Sequence, residues 1–262
     1  IIKITAKTTP SFTHNEKNPT CIGATDGVIN ITNPTGLAPF TYEIKKGVAT
    51  VSTTATNSNL SAGVYDVLMT DSKGCTFGVQ ITLSDPSPLT ATVSSTPLAC
   101  NTDNTTKQAT ITVTLPSGGT NTGYEYSFNG GTFSSVNTYS TSVAGTAITV
   151  VMRDSNKCTQ SLTSPTFTAL DAPKITNITA SLITCITGEN VSNVDITTSN
   201  GVGALSYVIV SGPSSSNTTG AADGKFTGLA DGFYVFKVTD DNGCSATGDI
   251  TIKPLVRITG SL

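Results

Sequence analysis

Residues 60–75 read Leu-Ser-Ala-Gly-Val-Tyr-Asp-Val-Leu-Met-Thr-Asp-Ser-Lys-Gly-Cys, and they carry the clearest signal for the fold of the chain. Its Gly-x-Tyr-x-Val run at 63–67 predicts an inner strand of a sheet, because residues two positions apart lie on the same face of a strand. The Asp-x-x-Gly-Cys segment at 71–75 then predicts the tight turn of a hairpin. Gly74 suits that turn, since glycine adopts a positive φ without steric cost.

Two further copies of this stretch follow in the same order. The strand motif returns at 143–150 and 229–236, and the turn motif returns at 153–158 and 239–244. The middle copy departs from the others, because Ala147 stands where they have Tyr65 and Tyr234. Lys157 also replaces the turn glycine, so we expect the middle turn to differ or to use Asn156. The repeated order of both motifs indicates a tandem array.

The six cysteines follow the same period, with an opening and a closing cysteine in each copy. The opening cysteines are Cys21, Cys100 and Cys185, and the closing cysteines are Cys75, Cys158 and Cys244. Joints that contain proline separate the copies. The predicted boundaries are 1–86 for repeat 1, 87–172 for repeat 2, 173–254 for repeat 3, and 255–262 for the start of a further repeat. Short proline joints are stiff, so we expect an elongated rod.

The composition favours strands throughout. The chain has 49 Thr, and charged residues make up only 12% of its 262 residues. Short alternating runs are separated by turn signals every 8 to 12 residues, which is typical of a β-sandwich. The sequence therefore predicts an all-β fold, a tandem array of three immunoglobulin-like β-sandwich modules. Tyr65 and Tyr234 match the tyrosine corner of such sandwiches, and a plain buried aromatic is the alternative.

Six cysteines in a Thr-rich β-chain with only two Met indicate an oxidising compartment. The repeat favours disulfides inside each module, pairing Cys21 with Cys75, Cys100 with Cys158, and Cys185 with Cys244. Each bridge would contribute about 4 kcal/mol in the chain-entropy model. Reduced, buried cysteines are the alternative. Two thiols per module with no histidine nearby fall short of a tetrahedral zinc site.

Several classes of function are excluded by the same sequence. Apolar runs reach only four residues, so we expect no membrane span in this segment. A net charge of −3 without a basic cluster gives no surface for nucleic acid. His14 is the only histidine and lies outside the repeated motifs, so no Ser-His-Asp arrangement fits repeats 2 and 3. We expect a protein that is not an enzyme and needs no cofactor.

Calcium is the one metal for which the sequence offers candidates. Asp26, Asp71, Asp240 and Asp241 lie in predicted loops, and calcium takes six to eight oxygen ligands. The alternative is that these aspartates cap turns, accepting hydrogen bonds from nearby backbone amides. The turn positions repeat along the chain, which favours the capping role.

The full pattern resembles the SprB-type repeat of very large surface adhesins in gliding Bacteroidetes. The resemblance is carried by the opening run at 21–27, the Leu-Ser-Ala-Gly-x-Tyr run and the Thr-Asp-x-x-Gly-Cys run, and it covers three copies. Repeat 2 departs most, because it lacks the opening glycine and the glycine before Cys158. The resemblance implies export by the type IX system, attachment to the outer surface, and adhesion to a substratum during gliding.

Three functional hypotheses follow from the sequence. The leading one is a non-catalytic segment of a long extracellular adhesin or filament, in which the repeats act as spacers under tension and as adhesive surface. Its partners would be neighbouring repeats and a surface polysaccharide or substratum. It would be located at the cell surface, associated with the outer membrane. The second is a glycan- or polymer-binding module with its site in the loops. The third is an accessory region of a secreted enzyme.

Overall fold

A computed structural model describes residues 9–183 and 190–255, so Cys185 and residues 256–262 of the predicted further repeat lie outside it. The described residues form 21 β-strands and no helix, which confirms the predicted all-β class. Within that range nothing qualifies as a helix able to span a bilayer. Because Val, Ile and Thr lose side-chain freedom in helices and pack well on pleated surfaces, their abundance explains this outcome.

Repeat 1 is a β-sandwich of two antiparallel sheets. Its strands are β1 (Ser11–Lys17), β2 (Gly27–Thr35), β3 (Thr41–Lys46), β4 (Ala49–Ser52), β5 (Thr56–Leu60), β6 (Gly63–Thr70) and β7 (Thr76–Leu83). One sheet has the order β1-β2-β5 and the other β4-β3-β6-β7. Residues of both sheets share one core, and Phe12 of β1 meets Phe77 of β7 edge to face at 5.1 Å between ring centroids.

Repeat 3 has the same construction. Its strands are β16 (Lys174–Ala180), β17 (Ser192–Ser199), β18 (Ser206–Ser211), β19 (Lys225–Leu229), β20 (Gly232–Thr239) and β21 (Ser245–Ile252). The sheets run β16-β17-β19 and β18-β20-β21. Phe226 of the first sheet and Phe236 of the second are fully buried, with ring centroids 5.1 Å apart. The two sheets therefore enclose one hydrophobic core.

Most strands of repeat 2 are shorter than those of repeats 1 and 3. The strands of repeat 2 are β8 (Thr90–Ser95), β9 (Ala99–Cys100), β10 (Thr106–Lys107), β11 (Ala109–Ser117), β12 (Glu125–Phe128), β13 (Thr138–Thr141), β14 (Val150–Arg153) and β15 (Thr159–Ser161). The sheet orders are β13-β11-β8, β12-β14-β15 and β10-β9. Along β11 the apolar side chains of Ala109, Ile111 and Val113 are fully buried at every second position. This spacing is that of a strand with one face in a core.

The described chain divides into two compact units, and repeat 2 contributes strands to both. The first unit holds the residues up to 94 together with 113–137 and 149–164, and the second holds 95–112, 138–148 and the residues from 165 onward. The three strand sets follow the three sequence repeats. The boundaries at 86, 172 and 254 stay a prediction.

The two ends of the repeat 1 sandwich carry different parts of the motif. Ser84, just after β7, donates its backbone amide to Asn18 Oδ1 (2.8 Å), which places the β1–β2 loop at the end where the chain leaves the repeat. At the other end Ser72 donates its amide to the Leu37 carbonyl (2.9 Å). We call these the C-terminal pole and the N-terminal pole. The opening cysteine thus lies at one pole and the closing turn at the other.

Both predicted tyrosine corners are present. Tyr65 and Tyr234 are buried, and each hydroxyl donates to a carbonyl four residues upstream, Ser61 O at 2.7 Å and Ala230 O at 3.0 Å. In repeat 2 the matching position is Ile148, which is buried, whereas Ala147 is exposed. The sequence alignment of this position was wrong by one residue. Ile148 lacks a hydroxyl, so repeat 2 packs there without the corner hydrogen bond.

Candidate functional site: the disulfide-linked joints

The closing turn is the most regular feature of the three repeats. In each copy an aspartate accepts the amide of the closing cysteine through Oδ1: Asp71 from Cys75 (2.9 Å), Asp154 from Cys158 (3.0 Å) and Asp240 from Cys244 (2.9 Å). The same aspartates are 5%, 0% and 5% exposed. A buried carboxylate needs such donors, because leaving it without them is costly. The aspartates therefore cap the turn, which confirms the structural interpretation.

Lys157 fills the place of the turn glycine without changing the turn. It adopts a φ of +67°, beside +75° for Gly74 and +78° for Gly243. Its amide donates to the Asp154 carbonyl at 3.0 Å, as the amides of both glycines do to theirs. The expectation that this turn differs, or uses Asn156, is wrong. The hydrogen bonds of the Asp154 cap offset the roughly 1–2 kcal/mol that the left-handed conformation of Lys157 costs.

The disulfides join consecutive repeats rather than closing each repeat. Cys21 of repeat 1 is bonded to Cys158 of repeat 2, with Cα atoms 5.4 Å apart, and Cys100 of repeat 2 to Cys244 of repeat 3, at 4.8 Å. Cys75 is a free, half-buried thiol. The predicted pairs Cys21–Cys75, Cys100–Cys158 and Cys185–Cys244 are therefore wrong. An opening cysteine instead meets the closing cysteine of the next repeat.

The poles of the sandwich explain why the predicted pairing fails. Cys21 lies at the C-terminal pole of repeat 1, and Cys75 follows β6 at the N-terminal pole. The eight residues of β6 span about 25 Å, whereas a disulfide needs Cα atoms within roughly 7 Å. The chain enters repeat 2 from the C-terminal pole of repeat 1. The closing turn of repeat 2 lies at the end where the chain enters that repeat. The backbone amide of Thr120 donates to Asp154 Oδ2 in the turn (3.0 Å), and the adjacent amide of Gly119 donates to the carbonyl of Ser87 in the entering segment (2.8 Å).

The first joint lies within the first unit and is held by polar contacts around its disulfide. Cys158 Sγ lies 3.1 Å from the Thr20 carbonyl. Asp26 fixes that loop by accepting the Thr20 amide (2.9 Å) and hydroxyl (2.8 Å), and these hydrogen bonds hold the pKa of Asp26 below its ordinary value. A cavity of about 430 Å³ adjoins the bridge, lined in part by Ile22 and Pro86. The hydrogen bonds between Thr20 and Asp26 thus fix the conformation of the loop that carries Cys21.

The second joint lies within the second unit and is built from direct hydrogen bonds. The amide of Cys100 donates to the Asn242 carbonyl at 2.8 Å. Asn104 donates through Nδ2 to the Ser245 carbonyl (2.7 Å) and accepts the Ser245 amide through Oδ1 (2.9 Å). Asn104 lies outside the repeated motifs, so those motifs did not point to it. The only signal was its place in the opening loop, four residues after Cys100.

The calcium candidates are engaged with the backbone and do not converge. Asp240 Oδ2 accepts the amide of Val202 (3.1 Å), and Asp241 Oδ2 that of Ala204 (3.0 Å). Asp71 caps its turn and Asp26 holds Thr20. Among residues 9–183 and 190–255 no three His, Cys, Asp or Glu side chains form a group that could hold a metal ion.

His14 takes no part in the joints. It lies on exposed β1, with Nε2 3.6 Å from Glu16 Oε2. The absence of enzymatic activity stays a prediction.

Comparisons with known proteins give a fold and no family. No family model and no curated protein matches the chain. The structure of three N-terminal domains of the Highly Immunogenic Outer Capsid protein of bacteriophage RB49 is similar, with a TM-score of 0.53 and 12% identity, covering 95% of this chain and all of that one. A bacterial integrin-binding invasin (TM-score 0.28, 16% identity, 94% and 60% covered) and protocadherin gammaB7 (0.27, 15%, 94% and 73%) are more distant. The first likeness supports the array of β-sandwich modules.

Proposed function

We propose that this chain is a non-catalytic repeat segment of a long extracellular surface adhesin or filament, in which the repeats act as spacers under tension. The observation that carries the proposal is the bonding of each described opening cysteine to the closing cysteine of the following repeat. Bridges of this kind fasten one module to the next, a task that a string of modules has and a compact enzyme lacks.

The chemistry of the joints supports an extracellular place. Disulfides persist in oxidising environments and are reduced in the cytosol. At each joint a disulfide is the covalent link between two repeats, and the polar contacts beside it are partly exposed to water. The fold is that of tandem β-sandwich modules, an architecture widespread in cell-surface proteins.

The finer identity rests on the sequence motifs. The resemblance of residues 21–27, 60–65 and 70–75 to SprB-type repeats supports a gliding-motility adhesin exported by the type IX system to the outer membrane surface. The partners would be neighbouring repeats of the same protein, and the substratum or a surface polysaccharide.

Surface display is tested with antibodies raised against the 262-residue chain. Intact cells that encode it should be labelled without permeabilisation, and external protease should remove the label. Labelling only after permeabilisation would overturn the proposal. Monovalent antibody fragments should also reduce attachment to glass, and comparing attachment with cell speed separates adhesion from gliding.

A further inference from the structure

The unpaired Cys75 has the same setting as two cysteines that form bridges. Its turn repeats the main-chain contacts that the bonded turns make within their own repeats. Asp71 donates its amide to the Cys75 carbonyl (2.9 Å), as Asp154 does to Cys158 (3.1 Å) and Asp240 to Cys244 (2.9 Å). Ser72 donates to the Leu37 carbonyl at 2.9 Å, as Ser155 does to Thr122 (3.3 Å) and Asp241 to Val202 (3.1 Å).

The surroundings of the turn also match. A Cβ added at Gly36 would lie 3.3 Å from Cβ of Pro10, and one added at Gly201 would lie 3.3 Å from Cβ of Pro173. Each proline precedes the first strand of its repeat. The N-terminal pole of repeat 1 is therefore built like that of repeat 3, which already receives a neighbour through Cys244.

Exposure distinguishes the unpaired turn from the paired ones. Cys158 is 9% exposed and Cys244 is fully buried, each beneath the opening loop of the preceding repeat. Cys75 is half-buried. The greater exposure of Cys75 is what we expect of a closing turn that is built like the other two but has no opening loop covering it.

We propose that the N-terminal pole of repeat 1 is a docking site for the C-terminal pole of another module of this type, and that Cys75 forms a disulfide with its opening cysteine. Recognition uses the contact seen at the second joint, where the opening cysteine donates its amide to the carbonyl two residues before the closing cysteine. In repeat 1 that carbonyl belongs to Lys73. This inference concerns assembly and stands apart from surface display.

The bond forms by thiol–disulfide exchange with a small disulfide such as oxidised glutathione. The opening cysteine attacks the disulfide as thiolate, forms a mixed disulfide and releases one glutathione. The Cys75 thiolate then attacks that opening-cysteine sulfur and releases the second glutathione. Two protein thiols are thus oxidised, one glutathione disulfide is reduced, and both thiol protons end on the glutathione products.

A second copy of this chain supplies the partner for a test. Cys185 is the opening cysteine of repeat 3 by spacing in sequence alone, and Cys244 is already bonded to Cys100. Variants C75S and C185S each keep one of the two thiols. In a mixture with oxidised glutathione we expect dimers that stop at two chains, whereas the unsubstituted chain should form a ladder of longer multimers on a nonreducing gel.

Peptide mapping decides between docking and random oxidation. Random pairing of the two variants gives the Cys75–Cys185 link as often as the two symmetric links together, whereas docking should favour it on the order of tenfold by raising the local concentration. The Cys21–Cys158 and Cys100–Cys244 peptides must be recovered intact as the folding control. A statistical mixture, a Cys75–Cys75 dimer of C185S formed equally fast, persistent monomers, or a Cys75–Cys185 bridge within one chain would each overturn the proposal.

Discussion

Pulling on the chain should reveal its staggered bridges through unequal steps in contour length. In the oxidised protein the shortest covalent path from Cys21 to Cys244 crosses to Cys158, returns along the backbone to Cys100, and crosses again. That path contains about 58 residues, or about 200 Å at about 3.5 Å per extended residue. With both bridges reduced the path is the whole backbone, about 223 residues or about 780 Å.

Removing one bridge should have a small effect and removing both a large one. Without Cys100–Cys244 the shortest path lengthens to about 86 residues, and without Cys21–Cys158 to about 79, so either loss adds only roughly 70–100 Å. Loss of the second bridge then adds about 480–500 Å. The effects do not add because either bridge alone already bypasses most of the chain.

The assay is single-molecule force spectroscopy at fixed pulling speed. The variants are C21S/C158S, C100S/C244S and the combination of all four substitutions, each with Cys75 and Cys185 replaced by serine to prevent new bridges. The total unfolded length is compared with that of the bridged parent. Because Cys75 and Cys185 are replaced, closure within each repeat would leave only a Cys100–Cys158 bridge. The same gain of about 200 Å in both double variants, with no further gain in the fourfold variant, would therefore match that closure and refute the staggered path. Equal lengths with and without reductant would show that the bridges are absent.

Four further predictions concern the turns, the core and the ions. Asp154→Ala should lower the free energy of unfolding by about 1–3 kcal/mol in urea titrations, because it leaves the buried amide of Cys158 and the part-buried amide of Thr120 without an acceptor. Exposed Asp231→Ala is the control, and equal losses in the two variants would contradict the capping role. Tyr234→Phe should cost about 1 kcal/mol by the same measurement through loss of its corner hydrogen bond, and an unchanged stability would contradict that bond's contribution. Hydrogen bonds from the side chains of Lys157 and then Arg153 lower the pKa of Glu125 in the folded protein. Ionised Glu125 therefore contributes fully to the stability of the fold above its ordinary pKa of 4.5, and this contribution is lost as the pH falls through the lowered pKa. The Tm difference between the parent and Glu125→Gln should therefore vanish at low pH, and a difference that does not depend on pH would argue against this linkage. Addition of a chelator should leave Tm unchanged, because the loop aspartates already accept backbone amides; a drop of several degrees would indicate a bound ion.

The fold could be predicted because its signals are local. Buried and exposed residues alternate from Tyr65 to Met69, which specifies a strand with one buried face. Asp71, with a cysteine four residues later, specifies the turn. Each repeat carries these signals within a few residues of one another. Lys157 shows where prediction from local residue preferences fails. The aspartate cap fixes the turn, so the turn accepts a residue that rarely adopts a positive φ.

The pairing of the cysteines could not be read from spacing, because a disulfide depends on proximity in space. Cys75 follows Cys21 by 54 residues, while Cys158 is 137 residues away, so sequence distance favoured the wrong partner. The number of strands holds the better signal. One strand precedes Cys21 and six precede Cys75 in an antiparallel sandwich, so an odd and an even count place them at opposite poles. That count requires strand boundaries, which the motifs alone did not define.

The staggered bridges also determine what happens when the backbone is cut. Exposed loops outside a cell are the usual sites of proteolytic nicking. A cut at any one peptide bond between Cys21 and Cys244 leaves both pieces attached, because each bridge spans the gap between one repeat and the next and the two spans overlap. Bridges closed within each repeat would leave every joint as a point where one cut severs the chain. The overlap therefore gives the segment a covalent continuity that survives a single proteolytic event.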